Sequence, residues 1–274
     1  MNRAIVEASR AGAITSATLM ANSSAFDEAV ALAKSHPQLR VGCHIVLIDG
    51  EPLSSGLKTL TATSGTPRFK SGLKEFALAA IRKQLSQEEI QREAEAQIRK
   101  IQTAGIAVSH IDTHKHTHMF PHVLHPVLKA AKACGIRAVR NPFEPASTLL
   151  RALVRRTPSL WIRALQVNLL RRYSAEFHLA VREEGMITTQ GTVGIIVTGT
   201  LDQTLLAGTL QALPEGDWEL VCHPGYLDHD LQQAGTRLLK SRQLELQALT
   251  SAETRKALTG KGIQLISYAD LQQS

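Results

Sequence analysis

Six of the eleven histidines in this chain of 274 residues lie within sixteen residues, between His110 and His125. The histidines and the acidic residue of the run are His110, Asp112, His114, His116, His118, His122 and His125, of which His122 and His125 lie in the first turn of the next predicted helix and are expected to be structural or exposed. The run follows an apolar stretch at 106–108 and leads into a helical pattern from 123, which predicts a strand, a loop and a helix. Imidazole is a common metal ligand, and α/β enzymes place their chemistry at the carboxyl ends of strands. The run therefore indicates a metal site.

Two other predicted strands also end in histidine. His44 ends the segment that begins at Val41, and His223 ends an apolar segment and is followed by Pro-Gly. A lone histidine in an apolar strand is more often a hydrogen-bonded core residue. Strand ends converge in a parallel sheet, however, so we expect His44 to share an ion with His114 or His116. His223 is then a candidate general acid or base, because its pKa is easily tuned near neutrality.

In an extended chain, Asp112, His114, His116 and His118 would share one face. One ion cannot take all four side chains from a single strand. We therefore expect one or two of them to bind the metal and the others to orient ligands or contact substrate. Asp112 is a candidate for fixing the tautomer of a ligating imidazole.

Short apolar segments alternate with helical patterns along nearly the whole chain. The predicted strands are 14–20, 41–48, 107–111, 136–140, 194–198, 220–223 and 263–268, and the predicted helices are 2–10, 24–35, 87–104, 123–134, 202–212 and 241–258. This alternation is typical of a parallel sheet in an α/β fold, and its spacing favours a (β/α) barrel, complete or incomplete. No glycine-rich phosphate-binding motif follows any of these strands.

Two segments interrupt the alternation. Residues 50–72 are rich in Gly, Ser, Thr and Pro, which favours a lid or a substrate-binding loop. Residues 145–172 combine leucines at helical spacing with arginines, which predicts a helical excursion packed on the barrel. A subunit contact, as in a homodimer, and an interfacial helix that meets lipid are the alternatives for this excursion.

The composition excludes several classes of protein. The net charge is +7, but no block of like charges is interleaved with aromatic residues, so we expect no nucleic-acid partner. The three cysteines are far apart, which favours buried thiols in a reducing compartment. The sequence contains no apolar run long enough for a transmembrane segment and no signal-peptide pattern, so we expect a cytoplasmic protein.

These motifs together resemble the YdjC-like family, also called the ChbG/HpnK carbohydrate deacetylases. The residues that carry the resemblance are Gly42-Cys-His44, Asp112-x-His114-x-His116-x-His118, Val139-Arg140 and Glu219-Leu-Val-Cys-His223-Pro-Gly225. Segments 14–22, 93–98 and 242–250 also fit, so the similarity extends over essentially the whole chain in the family's order.

The resemblance implies a single deacetylase domain over residues 1–274, with a (β/α)-barrel-like fold. It implies a metal-dependent hydrolase that removes the acetyl group from an N-acetylated sugar, such as a chitooligosaccharide or a glycolipid head group. One divalent ion, Mg²⁺ or Zn²⁺, would be held by His44, His114 and an aspartate, and His223 matches the proton donor. Arg140 would hold substrate or oxyanion, or form a salt bridge at a strand end.

The sequence departs from the family pattern in one respect. Family members begin with a strand that ends in Asp-Asp-Phe-Gly, and no Asp-Asp occurs in these 274 residues. We therefore expect the first strand to be missing, through a misassigned start or a fragment, and the activity of the chain as written to be very low. A non-catalytic relative that binds sugar or metal is the alternative, and a phosphoesterase of the PHP type is a third interpretation.

Overall fold

The computed structural model describes residues 1–62, 67–145, 160–233, 236 and 238–272. Contacts divide the chain into two compact units. The first unit comprises Met1–Thr15, Phe143–Arg171 and Thr189–Ser267. The second unit comprises Ser16–Pro142, Arg172–Thr188 and Tyr268–Ser274. Each unit is described by itself below.

The second unit contains a parallel sheet in the order β1-β2-β3. Its elements are β1 (Ser16–Leu19), α2 (Phe26–Ser35), β2 (Arg40–Ile45), α3 (Leu73–Ile81), α4 (Gln87–Thr103), β3 (Val108–Thr113), α5 (Pro121–Ala133), α7 (Ser174–Glu183) and α12 (Tyr268–Leu271). Single parallel bridges join Ile111 to Val139 and Ala138 to Ile187. In the register of β2 and β3, His44 lies opposite Asp112, so the sheet brings these two polar side chains together.

His110, the first histidine of the run, packs inside the second unit. Its ring is fully buried and stacks on Tyr268, with ring centroids 4.0 Å apart. It also lies over Gly42, where a Cβ atom would come within 2.6 Å of the imidazole. The register of β2 shifts at this glycine. Gly42 is therefore required for close packing, and His110 has a structural position.

Helix α4 turns polar side chains toward the protein interior. It begins after Ser86, whose hydroxyl accepts a hydrogen bond from the Glu89 N–H and caps the helix. Glu89, Glu93 and Gln97 follow at intervals of four residues, so they share one face, and all three are buried. The Gln97 amide bonds both the N–H and the carbonyl of Val46, at 2.8 and 2.7 Å. This pairing fixes the chain where β2 ends.

The two glutamates of this face hold the long loop that the sequence predicts as a lid or a substrate-binding loop. Glu93 accepts hydrogen bonds from the backbone N–H groups of residues 53 and 54 at 2.9 and 2.8 Å. Glu89 accepts from those of residues 58 and 59, each at 2.8 Å. The loop residues 63–66 lie outside the described residues. Residues 53–59 are thus anchored to α4 by buried carboxylates, which is unlike a freely moving lid.

We expect Glu93→Gln to lower the free energy of unfolding by about 2–3 kcal/mol. The buried carboxylate accepts three hydrogen bonds, two from the loop and one from Gln97 at 2.8 Å, and an amide cannot accept all three. Urea unfolding measures the difference. Glu95 on the same helix lies 3.7 Å from Arg99 and accepts a hydrogen bond from the Gln91 amide at 2.9 Å, which a glutamine oxygen can also accept, so Glu95→Gln should change stability by less than about 0.5 kcal/mol. Equal effects of the two substitutions would contradict this role of Glu93.

The first unit combines a two-stranded parallel sheet with a helical core. Its elements are α1 (Asn2–Arg10), α6 (Trp161–Leu170), β4 (Gly191–Val193), α8 (Gln203–Ala212), β5 (Trp218–Leu220), α9 (His229–Gln233), α10 (Lys240–Thr250) and α11 (Ala252–Gly260). The buried core includes Ala4 and Ala8 of α1 together with Leu206, Leu246 and Leu249. The apolar faces of these helices therefore pack against one another.

Three strand predictions in this unit differ from the structure, and the one at 220–223 is displaced, since β5 ends at Leu220. The strand predicted at 194–198 is wrong, since β4 covers Gly191–Val193. It ends before Gly194, which has φ +102° and where a Cβ would lie 2.5 Å from the carbonyl oxygen of Val221. The strand predicted at 263–268 is wrong, since residues 263–267 form no strand. Ile263 packs against the helical core, which accounts for the apolar pattern without strand pairing. Within the described ranges, no helix is both long and apolar enough to cross a membrane.

The stability of the first unit is expected to depend on pH because of Glu144. The carboxylate is 2% exposed and accepts hydrogen bonds from the Gly194 and Ile196 N–H groups at 3.0 and 2.9 Å. Burial raises its pKa to about 7, although these bonds and the charge of Arg163 act in the opposite direction. A carboxyl whose pKa is raised by folding binds more protons when folded, so stability falls as the pH rises from about 4.5 to about 7.

Deprotonation of Glu144 is expected to lower the free energy of unfolding by up to about 3 kcal/mol between pH 5 and pH 8. Urea unfolding of the wild type and of Glu144→Gln at both pH values measures it. The variant lacks the ionisable group, so its stability should fall less over this interval, even though an amide satisfies only one of the two backbone donors. An equal fall in both proteins would show that Glu144 does not titrate in this range.

Candidate active site

His44 and His114 place ring nitrogens side by side at the carboxyl ends of β2 and β3. His44 Nε2 and His114 Nδ1 are 3.4 Å apart, and the two rings meet edge to face. Two ligands of one tetrahedral ion are about 3.3–3.4 Å apart when the metal–nitrogen bonds are 2.0–2.1 Å long. Burial, together with His44 and Lys115, lowers the pKa of His114 to about 4, so its imidazole is neutral at pH 7. The pair therefore has the spacing of two metal ligands, and His114 is in the neutral form that a ligand requires.

Asp112 supports this pair from the interior of the second unit. The carboxylate is fully buried, lies 2.8 Å from His44 Nδ1 and accepts a hydrogen bond from the Arg140 guanidinium. Burial alone would raise the pKa of Asp112, but the charges of Arg140 and His44 hold it well below its usual range. An ionised carboxylate can only accept at Nδ1, so the His44 proton is held there and the Nε2 lone pair is directed toward His114.

The chain leaves the extended conformation immediately after β3. Residues His114–Met119 form a 3₁₀ turn in which Lys115 and His116 have φ angles of 55° and 54°. The predicted alternation that places Asp112, His114, His116 and His118 on one face is therefore wrong. Left-handed backbone at non-glycine residues costs of order 1–3 kcal/mol and is concentrated at functional sites.

His118 uses both of its ring nitrogens within the second unit. Nε2 lies 2.9 Å from the Arg140 carbonyl, which can only accept, so the proton is on Nε2. Nδ1 then accepts from the Thr113 hydroxyl at 2.7 Å. Burial lowers the pKa of His118 to about 4, consistent with a neutral ring. His118 is thus left without a ring nitrogen for an ion or a substrate.

His116 and Asp49 complete the surroundings of the histidine pair. Burial lowers the pKa of His116 well below its usual range, and its buried Nδ1 finds no hydrogen-bond partner within the described ranges. Asp49 was not singled out from the sequence. Its carboxylate lies 3.7 Å from His114 Nε2 and 2.6 Å from Lys115 Nζ. The only sequence signal for Asp49 is its position just before the glycine-rich loop, close behind β2.

An open cleft of about 410 Å³ is lined in part by Gly50, the residue that follows Asp49 in the sequence. Its lining is mainly polar and consists of Asn22, Ser23, Ser24, Gly50, Glu51, Pro52, Leu53, Arg68 and Lys100. The Asn22 amide donates to the Glu51 carbonyl at 2.8 Å, which connects the end of β1 to the loop. The cleft thus offers hydroxyl, amide and cationic groups within the second unit.

His223 belongs to the first unit and has a carboxylate neighbour there. It lies three residues beyond the end of β5, and its backbone N–H donates to Glu245. Its Nδ1 lies 4.0 Å from the same carboxylate oxygen. Burial raises the pKa of Glu245, against the opposing influence of the His223 N–H and Arg242. The sequence did not indicate Glu245 as a partner of His223, because the two residues lie on different elements.

Comparisons with known proteins show the family of this chain. The family model of YdjC-like proteins matches residues 1–260. A protein of Brevibacillus brevis named carbohydrate deacetylase is 34% identical over 271 residues, covering 99% of this chain and 94% of the relative. Carbohydrate deacetylase 1 of Listeria innocua is 32% identical over 268 residues, covering 97% and 92%.

A solved structure shows the same fold. It belongs to an Enterococcus faecalis protein described as a proposed cellobiose-phosphate cleavage protein, with a TM-score of 0.74, 23% identity and coverage of 98% of this chain and 92% of the other. The predicted α/β fold with parallel strands is thereby confirmed. The family resemblance is confirmed by the match over residues 1–260 and by the deacetylase relatives. The chain belongs to the YdjC-like family.

Proposed function

We propose that this protein is a carbohydrate deacetylase that hydrolyses the acetamide of an N-acetylated amino sugar, such as a chitooligosaccharide or a glycolipid head group. The observation that carries the proposal is the pair His44 and His114, with ring nitrogens 3.4 Å apart and Asp112 behind His44. The names of the relatives from Brevibacillus brevis and Listeria innocua support the same reaction.

The two imidazoles of the histidine pair could occupy two coordination positions of a divalent ion. His44 and His114 would be two of its ligands, and imidazole donors suit Zn²⁺ better than Mg²⁺. Within the described ranges, no group of three His, Cys, Asp or Glu side chains could hold a metal. We propose that the third ligand is a carboxylate from outside these ranges, on a further strand of a (β/α)-barrel-like fold, as the family pattern implies. In this proposal residues 1–274 belong to a single deacetylase domain.

The residues of this chain would divide the reaction between them. The bound ion would polarise the amide carbonyl and lower the pKa of a bound water. Asp112 holds the proton of His44 on Nδ1, and Arg140 keeps Asp112 ionised. His223, protonated and close to Glu245, would donate a proton to the departing amine, which is otherwise a poor leaving group. His116 would face the substrate, while His118 fixes the backbone of Arg140.

The cleft beside Asp49 is our proposed site for the sugar residues next to the reacting one. Its serine, asparagine, arginine and lysine side chains suit the hydroxyl groups of a carbohydrate. In this proposal the substrate chain runs along residues 50–53, next to the point where Glu93 holds the backbone of residues 53 and 54 to α4.

Acetate release from N-acetylated chitooligosaccharides in the presence of Zn²⁺ or Mg²⁺ tests the proposed function. We expect very low release by residues 1–274, because two imidazoles alone bind a divalent ion weakly. A chain extended to carry the additional carboxylate strand should be active. Full activity of residues 1–274 would contradict the proposed third ligand. Inactivity of the extended chain, with sugar or metal binding retained, would favour the non-catalytic alternative.

A further inference from the structure

Helix α6 presents an apolar face to solvent. Four large side chains of this ten-residue helix are mostly exposed: Trp161 (55%), Ile162 (74%), Leu165 (71%) and Leu169 (59%). At 100° per residue they fall within an arc of about 100° on the outward side of the helix. The uncharged residues Gln166 and Asn168 are exposed on either side of this arc. The outward face is therefore a continuous apolar stripe rather than a scatter of single leucines.

The opposite face of α6 holds the helix to the first unit. Ala164 and Val167 pack against the helical core of that unit. The only charged residue of α6, Arg163, also turns to this side, where its guanidinium donates to the carbonyls of Ile196, at 2.8 Å, and Thr198. An ordinary surface helix has the reverse arrangement, with its charges outward. The polarity of α6 suits contact with an apolar medium.

The charges next to the apolar stripe of α6 indicate which kind of apolar surface it would contact. From Leu160 to Ala175 the sequence contains three arginines and no acidic residue, and Arg171 and Arg172 directly follow the helix. The whole chain also carries a net charge of +7. A second copy docked through the same face would bring like charges together. An anionic lipid surface instead supplies both hydrocarbon for the stripe and negative charge for the arginines.

We propose that α6 docks this protein on an anionic lipid surface. The helix lies in the plane of the interface, with Ile162, Leu165 and Leu169 at the boundary of head groups and acyl chains. Trp161 lies at the level of the head groups, and Arg171 and Arg172 contact the anionic groups. This contact does not depend on the proposed deacetylase reaction.

Cosedimentation of the full chain with lipid vesicles tests the docking. We expect association with equimolar phosphatidylglycerol and phosphatidylcholine vesicles, much weaker association with pure phosphatidylcholine, and weakening as the salt concentration rises. The triple variant Ile162→Ser, Leu165→Ser, Leu169→Ser should partition about 100-fold more weakly. The double variant Arg171→Gln, Arg172→Gln should lose about 30-fold. Trp218→Phe leaves Trp161 as the single tryptophan, whose emission should shift to the blue on binding.

A matched control removes three exposed leucines from other parts of the chain. Leu179, Leu244 and Leu265 are 50%, 48% and 40% exposed, and their joint replacement by serine should leave vesicle binding unchanged. The proposal is overturned if the wild type does not bind anionic vesicles, or if both triple variants bind equally well. It is also overturned if analytical ultracentrifugation finds a wild-type dimer that only the α6 variant loses, without vesicle binding, since the stripe then serves a second copy.

Discussion

Asp112→Asn is expected to lower the free energy of unfolding by about 3–5 kcal/mol, the largest effect on stability that we predict for a single side chain. Asp112 is fully buried, and its two oxygens take different partners, Arg140 and His44. The asparagine is almost isosteric but uncharged, so the guanidinium of Arg140, with only 11% of its side chain exposed, loses its counter-charge. Chemical denaturation of the two proteins at neutral pH measures the difference.

Asp49→Asn is the matched control for this experiment. Its carboxylate also faces a histidine and a cation, His114 and Lys115, but 38% of the side chain is exposed. Solvent screening should keep the change in stability below about 1 kcal/mol. The double variant Asp112→Asn, Arg140→Gln should recover part of the loss, because the guanidinium that faced the Asp112 carboxylate is no longer buried beside an uncharged side chain. A loss under 1 kcal/mol in Asp112→Asn alone would contradict the buried pair.

His114→Ala is expected to lower kcat/KM for acetate release by about 1,000-fold in the metal-loaded extended chain, with stability nearly unchanged. The substitution removes one of the two proposed imidazole ligands, and metal-ion catalysis contributes several kcal/mol to the lowering of the barrier. His114 is partly exposed and lies after the end of β3, so its side chain contributes little to the core. Steady-state kinetics and isothermal titration with Zn²⁺ provide the two readouts.

His125→Ala is the control, since it removes a histidine of the same run from a position on α5 that has no role in the proposed site. Its activity and zinc affinity should match those of the wild type. His44→Ala should reproduce the defect of His114→Ala, and the double variant should be little worse than either, because ligands of one ion act as a unit. Retention of zinc binding and activity in His114→Ala would remove this residue from the proposed metal site.

Much of the local structure could be predicted from sequence periodicity alone. The predicted helices at 2–10, 24–35 and 87–104 lie within two residues of those observed, since each carries a regular apolar face. Parallel pairing of β2 with β3 brings the residues at their ends together, which is why His44 and Asp112 could be expected to meet. Sequence periodicity did not predict the tight turns. Gly194, at φ +102°, ends β4 although apolar residues continue after it.

Histidine, aspartate and their spacing by themselves determined the family, and they are the basis of the proposed chemistry, because both depend on residue identity and order. Only the tertiary structure decided which histidines are available for chemistry. His114 lies beside His44. Both ring nitrogens of His118 are instead hydrogen-bonded, one to the Thr113 hydroxyl and one to the Arg140 carbonyl. The difference arises because the backbone turns after β3 and brings His118 next to a carbonyl group that is distant in sequence. The tertiary structure also decided that Arg163 turns inward and the leucines of α6 outward, since side-chain direction depends on which face of a helix packs against its neighbours.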